Sequence, residues 1–225
     1  RALWELEQAL SSPGRARRFE LLSTWRLARD EIYAPWAAAI GTKACQITFF
    51  GMHGSTDWAM QRRGGFEDQL LATQRCLQAG IVPRWQLFPL KRSLGELPAF
   101  LRLIGELKLH ARCAAIGGQF EMFLNSASPE GCGYELEGER LTQGDLAHIP
   151  AELARMSRDG LCGLGEPEAA LLPRLIEDAA PPRMGRGLCA LAIDADYDVY
   201  PNIAEPAPWW RLGNLKRDGV DAILH

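Results

Sequence analysis

Apolar residues fall along this chain in short runs of strand length that alternate with longer stretches of helical spacing. After an opening helix-like "ALWELEQAL" and the turn "SSPGR", the run "RFELLST" suits a buried strand. "RLARDEIYAPWAAAIG" then sets Ala28, Ile32, Trp36 and Ile40 at a spacing of four, predicting one helical face ended by Gly41. Pro35 inside it predicts a kink or the true helix start. "CQITFF" is the next predicted strand, and "GGFEDQLLATQRCLQAG" the next helix, with Phe66, Leu70, Thr73 and Leu77 on one side and Gly80 as its stop. "VPRWQLF" follows as a strand. In "SLGE", Ser93 and Glu96 read as a capping box ahead of a stripe of Leu97, Phe100, Leu101, Ile104 and Leu107.

Strand, helix, strand, helix predicts right-handed crossovers and an α/β fold with a parallel sheet whose strands are apolar on both sides. "CAAIGGQFEMFL" supplies a further strand. Beyond it the pattern turns to loop and then helix, with Thr142 as a cap, and "EPEAALLPRLIEDAAPP" closes this part with proline punctuation. The tail differs: "LCALAIDADYDVYPN" predicts two short strands around an acidic turn, and "LGNLKRDGVDAIL" a terminal helix. No repeat, heptad or low-complexity tract occurs.

Composition narrows the partners. A chain of 225 residues, 47% hydrophobic and 24% charged, with a net charge of −3, carries no electrostatic footprint for nucleic acid or an anionic membrane. No apolar run is long enough to span a bilayer and no signal segment opens the chain, so the cytoplasm is the expected location. The six cysteines are scattered, no two within four residues of each other, which excludes a local zinc or iron-sulfur ligand cluster and favours unpaired thiols.

The densest chemistry lies in "CQITFFGMHGSTDW", where a strand ends at Gly51 in a loop with a thioether, an imidazole, hydroxyls, a carboxylate and an indole. His53 has no ligand at metal spacing, so a metal role is not favoured. Asp194, Asp196 and Asp198 mimic the start of a calcium loop but lack its glycine and distal glutamate, and read as an acidic β-turn. Trp209 and Trp210 suit packing of a small subdomain, or a lid. A hydrolase reading lacks a nucleophile elbow or a histidine pair.

"ITFFGMHGSTDWAMQRRGGFEDQLLATQRCLQAGI", followed by "PRWQLFPLKRSLGELPAFLRLIGEL", resembles the middle of a radical S-adenosylmethionine (AdoMet) enzyme. Gly51, Asp57, Arg63, Gly64, Phe66, Ala79, Gly80 and Ile81 fall in register with that family's pattern. "ELLSTWRLARD" resembles the preceding family strand, with Trp25 and Arg26 in place of its asparagine-glycine. "LAIDADYDVYPN" and "RLGNLKRDGVDAIL" resemble the C-terminal extension called SPASM, or its shorter twitch form.

The resemblance implies a partial TIM-type (βα) barrel over residues 1–160 and a small α+β extension over 161–225. It also implies that a [4Fe-4S] cluster reduces AdoMet and that the resulting radical takes a hydrogen atom from a peptide or small-molecule substrate. An electron donor such as flavodoxin or ferredoxin would serve it. The cofactor-binding positions it implies are Thr48, Gly51, Arg63, Gln86 and Lys91, with Arg84 and Trp85 in or beneath the barrel. Thr48 also reads simply as a strand threonine, Gly51 as a turn glycine and Arg63 as an exposed arginine.

Three departures stand out. The family's C-x3-C-x2-C loop and its glycine-glycine-glutamate are absent, and Asn202 stands where a SPASM cysteine would be. Cys189 alone cannot hold a cluster. The chain opens at Arg1 inside a helical pattern, so the expectation is that a preceding segment supplies the cluster and that this chain alone is inactive. The alternative is a degenerate, cluster-less barrel that binds a peptide or partner. A sheet lacking its first strands would carry an exposed edge and dimerise or dissolve poorly.

Overall fold

The computed structural model describes Glu5 and residues 18–126, 131–158, 160, 161, 164, 165, 191–201 and 208–224. The opening helical pattern apart from Glu5, the segment 166–182, Cys162, Cys189 and Asn202 lie outside the described residues. The chain divides into two compact units, Arg1–Pro167 and Glu168–His225.

The first unit is built on four parallel strands, β1 (Arg18–Glu20), β2 (Thr42–Phe49), β3 (Val82–Leu87) and β4 (Glu121–Leu124), side by side in chain order. Between β1 and β2 run α1 (Thr24–Arg29) and α2 (Tyr33–Ala39). Between β2 and β3 run α3 (His53–Ala59) and α4 (Gly65–Gln78). A 3-10 segment (Lys91–Glu96), α5 (Leu97–Glu106) and α6 (Leu109–Ala115) lead to β4, and α7 (Ala151–Met156) follows it. This is a mixed α/β fold. Strand order never reverses, and buried side chains of α1, α2, α4, α5 and α6 join those of one sheet face in a single core, a winding in which these helices cover that one face. Among the described residues the sheet stays open, with β1 and β4 as its edges.

That winding corrects the expectation of strands apolar on both sides. Cys45, Ile47 and Phe49 of β2 and Trp85 and Leu87 of β3 are fully buried under the helices. Trp85 packs against Phe49, Phe100 and Phe120 with ring centroids 4.4, 5.4 and 5.8 Å away, each such side chain contributing about 1.5–3 kcal/mol by leaving water. The alternate positions, Gln46, Thr48, Arg84 and Gln86, are polar, half-buried and on the opposite face, uncovered among the described residues.

Two further expectations are corrected. The single helix through Ala28 and Ile40 is two: Asp30 ends α1, α2 starts at Tyr33 with Pro35 in its first turn, and Ile32 in the break is 57% exposed. In the Ser93–Glu96 motif, Ser93 caps backward, accepting the Leu90 N–H at 2.9 Å, while Glu96 crosses to the loop after β2 and accepts the Met52 N–H at 2.7 Å. The stop at Gly80, in a left-handed conformation (φ +75°), is as expected.

The second unit holds three short antiparallel strands in order, β5 (Ala192–Ile193), β6 (Asp198–Tyr200) and β7 (Gly213–Asn214), then α8 (Gly219–Leu224). The acidic turn is a self-closed turn: Asp194 Oδ1 accepts the N–H of Asp196 and of Asp198, each at 2.9 Å. Asn214 ties β7 to it, donating to the Asp196 carbonyl at 2.9 Å and to Asp198 Oδ1 at 2.7 Å.

Candidate functional site

The uncovered face of β2 and β3 carries one continuous hydrogen-bonded layer, because parallel register sets Thr48 beside Gln86 and Gln46 beside Arg84. Arg84 Nη2 donates to Gln46 Oε1 at 2.6 Å, Gln46 Nε2 donates to Gln86 Oε1, and Thr48 Oγ1 donates to the same oxygen at 3.3 Å. The Arg84 guanidinium lies over the Phe123 ring, 4.4 Å from its centroid, and Arg158 approaches that ring at 5.8 Å. Burial is the main influence depressing the Arg84 pKa; Glu121 opposes it and Arg158 adds to it. Amides, a hydroxyl and a guanidinium exchange no protons near neutrality. Such a layer can hold and orient a polar ligand, but it cannot act as an acid or base.

Above this layer, at the C-terminal strand ends, Phe50 and Phe88 stack with centroids 5.6 Å apart and 22° between planes. Neither belongs to the core beneath the helices. Beside them Arg92 sits 3.5 Å over the Trp58 ring and pairs with Glu139 at 3.2 Å, while Lys91 donates to the Gly138 carbonyl at 3.3 Å. Lys91 and Arg92 thus tie the segment after β4 across the end of β3.

The structure brings together two of the five positions expected from sequence, Thr48 and Gln86. Lys91 is at the same strand ends but faces Gly138. Gly51 does permit a close approach, and what approaches is Glu96 and Ser93: a Cβ built there would stand 2.5 Å from Glu96 Oε2 and 2.7 Å from Ser93 Cβ, at φ +139°. Arg63 is exposed in the turn between α3 and α4. That turn is organised by Asp57, whose Oδ2 accepts the Gly64 N–H at 2.7 Å and Oδ1 the Phe66 N–H at 2.9 Å. Partial burial pushes the Asp57 carboxyl up, but the N–H groups of Phe66 and Gly64 outweigh it and hold the carboxyl below its usual range.

Sequence reasoning gave His53 no partners, yet it pairs with Glu67, and with Asp57 the three place ligating atoms within 4.8 Å of one another. Both Asp57 oxygens are already committed to capping α4, and His53 and Glu67 side chains are 63% and 51% exposed, so the group reads as the surface of a helix start. A cleft of about 470 Å³ lined by Lys43, Gly80, Gly118, Gln119 and Glu121 opens at the opposite, N-terminal end of the strands. Parallel α/β folds place their ligands at the other end.

Gln46 and Phe123 were not singled out from the sequence, and Arg84 was placed only in or beneath the barrel. The signal was present as polar residues at alternate positions 46, 48 and 84, 86 within otherwise apolar strands. Of the cysteines, Cys45, Cys76 and Cys113 are buried in the helix-covered core. A hydrogen bond with Cys45 and burial push the Cys76 thiol well above its ordinary value, and burial pushes Cys113 up to about 11. Protonated thiols facing away from the polar layer do not fit a cluster, which needs thiolates. Among the described residues no helix is long and apolar enough to cross a membrane. No protein-family model matches the chain, and neither does any curated protein.

Proposed function

We propose that this chain forms part of a radical AdoMet oxidoreductase that modifies a peptide or small molecule, its barrel sheet binding AdoMet at the C-terminal ends of β2 and β3. The reading rests on one observation above others. On the face of the parallel sheet that no described helix covers, Thr48 and Gln86, two positions implied by the family resemblance, share a hydrogen bond. A hydroxyl and an amide suit a ribose or an amino-acid group, and neutral groups suit a sulfonium ligand better than a cluster of cations would. The chemistry, electron transfer and hydrogen abstraction, belongs to the cofactor; this chain's residues bind and orient.

The buried thiols Cys45, Cys76 and Cys113 do not fit a [4Fe-4S] cluster, so the reading needs cluster ligands other than these. Anaerobic reconstitution of the full-length gene product with iron and sulfide, followed by measurement of 5'-deoxyadenosine, tests the reading. Cluster absorbance and AdoMet cleavage are expected, with weakened AdoMet binding in Thr48→Val and Gln86→Leu. No cluster and no cleavage would refute it.

The same thiols favour a second reading, a cluster-less barrel that binds a peptide or partner protein. An unreconstituted protein that binds AdoMet with the same affinity in Thr48→Val and Gln86→Leu, or not at all, would shift the balance to it.

A further inference from the structure

A half-buried arginine with one buried guanidinium edge stands apart from the polar layer. Arg140 lies in the segment after β4, between the 3-10 segments Gly131–Glu139 and Gln143–His148. Its Nε and Nη2 are buried and have no hydrogen-bond partner among the described residues. These two nitrogens form one edge of the guanidinium, the edge whose parallel N–H groups match the two oxygens of a carboxylate. A charged fork out of water without a partner is costly, and an anion across it removes the cost.

The backbone holds this fork in place on both sides. The preceding residue, Glu139, is fixed to Arg92 by its side chain, accepting from the backbone at 3.0 Å and from Nε at 3.2 Å. The following residue, Leu141, is buried in the core, and Arg140 itself donates its N–H to the Glu137 carbonyl at 3.2 Å. The acids nearest in sequence are otherwise disposed. Glu139 is held by Arg92, Asp145 is taken up by Thr142 at 2.8 Å, and Glu135 and Glu137 are exposed.

We propose that Arg140 anchors a carboxylate-binding site, receiving through Nε and Nη2 the carboxylate of a ligand bound at the C-terminal end of the sheet. A planar monoanion fits better than phosphate, because the neighbouring cations that a dianion would recruit, Lys91 and Arg92, are engaged with Gly138 and Glu139. The site does not depend on AdoMet chemistry. The carboxylate of an amino acid, of a peptide terminus or of an acidic side chain presents the same group.

The test observes the Arg140 side-chain Nε–H signal in the isotope-labelled 225-residue chain, assigned by its disappearance in Arg140→Lys. Acetate, N-acetylglycine, S-adenosylhomocysteine and inorganic phosphate are titrated separately. The expected result is a saturable shift with the carboxylates, stronger for whichever compound shares the natural ligand's frame, and binding weakened roughly tenfold or more in Arg140→Lys, which keeps the charge but loses the fork. S-adenosylhomocysteine binding best assigns the carboxylate to an amino-acid cofactor, and N-acetylglycine binding best assigns it to a peptide. Three results overturn the proposal: a signal unmoved by any carboxylate, tighter binding of phosphate, or an Nε–H already hydrogen-bonded to a carboxylate of the chain before any addition. Should Arg140→Lys not fold, the wild-type titration alone still decides among these outcomes.

Discussion

Replacing Gly51 by alanine separates a ligand-contact role from a structural one. At φ +139° a side chain enters a region open essentially only to glycine, at a cost of about 1–3 kcal/mol. The added methyl also meets Glu96 Oε2 at 2.5 Å and Ser93 Cβ at 2.7 Å. Glu96 can yield only by releasing the Met52 N–H, a charge-assisted hydrogen bond contributing about 1.5–3 kcal/mol. Ser93 can yield less, since its hydroxyl is tied to Leu90 in the cap that starts the 3-10 segment. The terms overlap, and Gly51→Ala should cost about 3–5 kcal/mol, at the upper end of what single substitutions do and a large share of the about 5–15 kcal/mol that holds a domain together. Urea unfolding followed by circular dichroism measures it. Glu96→Ala alone should cost less, and the double variant should cost less than the sum, because the clash and the lost hydrogen bond share Glu96. A loss under about 1 kcal/mol in Gly51→Ala would refute the packing argument and return the glycine to a ligand-contact role.

Asp57→Asn keeps the shape of the α4 cap but turns one of its two acceptor oxygens into an NH2 donor, so that either the Gly64 or the Phe66 N–H loses its acceptor, and it should cost about 0.5–2 kcal/mol in the same assay. Asp57 and Asp68 both have folded pKa values below their unfolded ones; Asp68 is pushed up by burial but held down by Arg29 and Arg62. Their contribution to stability is therefore complete above the unfolded carboxylate value, about 3.9, and is lost as pH falls through the folded values. Acid unfolding of an Asp57→Asn, Asp68→Asn double variant should be less steep in that window than that of the parent. Thr73→Val preserves volume but leaves the buried Trp85 indole N–H, now 3.0 Å from Thr73 Oγ1, without an acceptor, at about 1–3 kcal/mol by chemical denaturation, with Thr73→Ser much closer to wild type. In the second unit, Asn214→Ala removes the largest influence holding the Asp198 carboxyl down, so its pKa, followed by NMR titration, should rise toward the ordinary value.

Much of the fold was legible because it depends on local rules. Strand β2, helix α4 with its Gly80 stop, strand β3 and the turn between β5 and β6 all follow from periodicity and from residues with one strong conformational preference. What escaped was set by the third dimension. A run such as "CQITFF" is consistent with burial on both faces until strand order and the shared core show that the helices packed in that core cover one of them. The Ser93–Glu96 spacing satisfies a capping rule, yet Glu96 finds a better donor in Met52, 44 residues away in sequence. The candidate site divided the same way. Thr48 and Gln86 were reached through the family resemblance, whereas Gln46, Arg84, Phe123 and Arg140 acquire meaning only from neighbours brought together by the sheet and by the segment after β4.

The make-up of the uncovered face bears on what it serves. A surface that docks a protein partner is most apolar at its centre and places its polar groups at the rim. Here the order is reversed: amides, a hydroxyl and a guanidinium occupy the middle of β2 and β3, while the stacked Phe50 and Phe88 lie at the strand ends. An apolar partner laid on Gln46 and Gln86 would have to strip water from an amide network with spare hydrogen-bonding capacity, at a cost its own burial would have to repay. A small polar ligand with hydroxyl or amide groups meets that capacity directly, and the aromatic pair above it supplies a flat apolar wall for a ring. Its side-chain chemistry thus suits a small polar ligand better than an apolar partner. That weighs toward the cofactor-binding reading over the partner-binding one, on grounds of side-chain chemistry independent of the motifs that first suggested it.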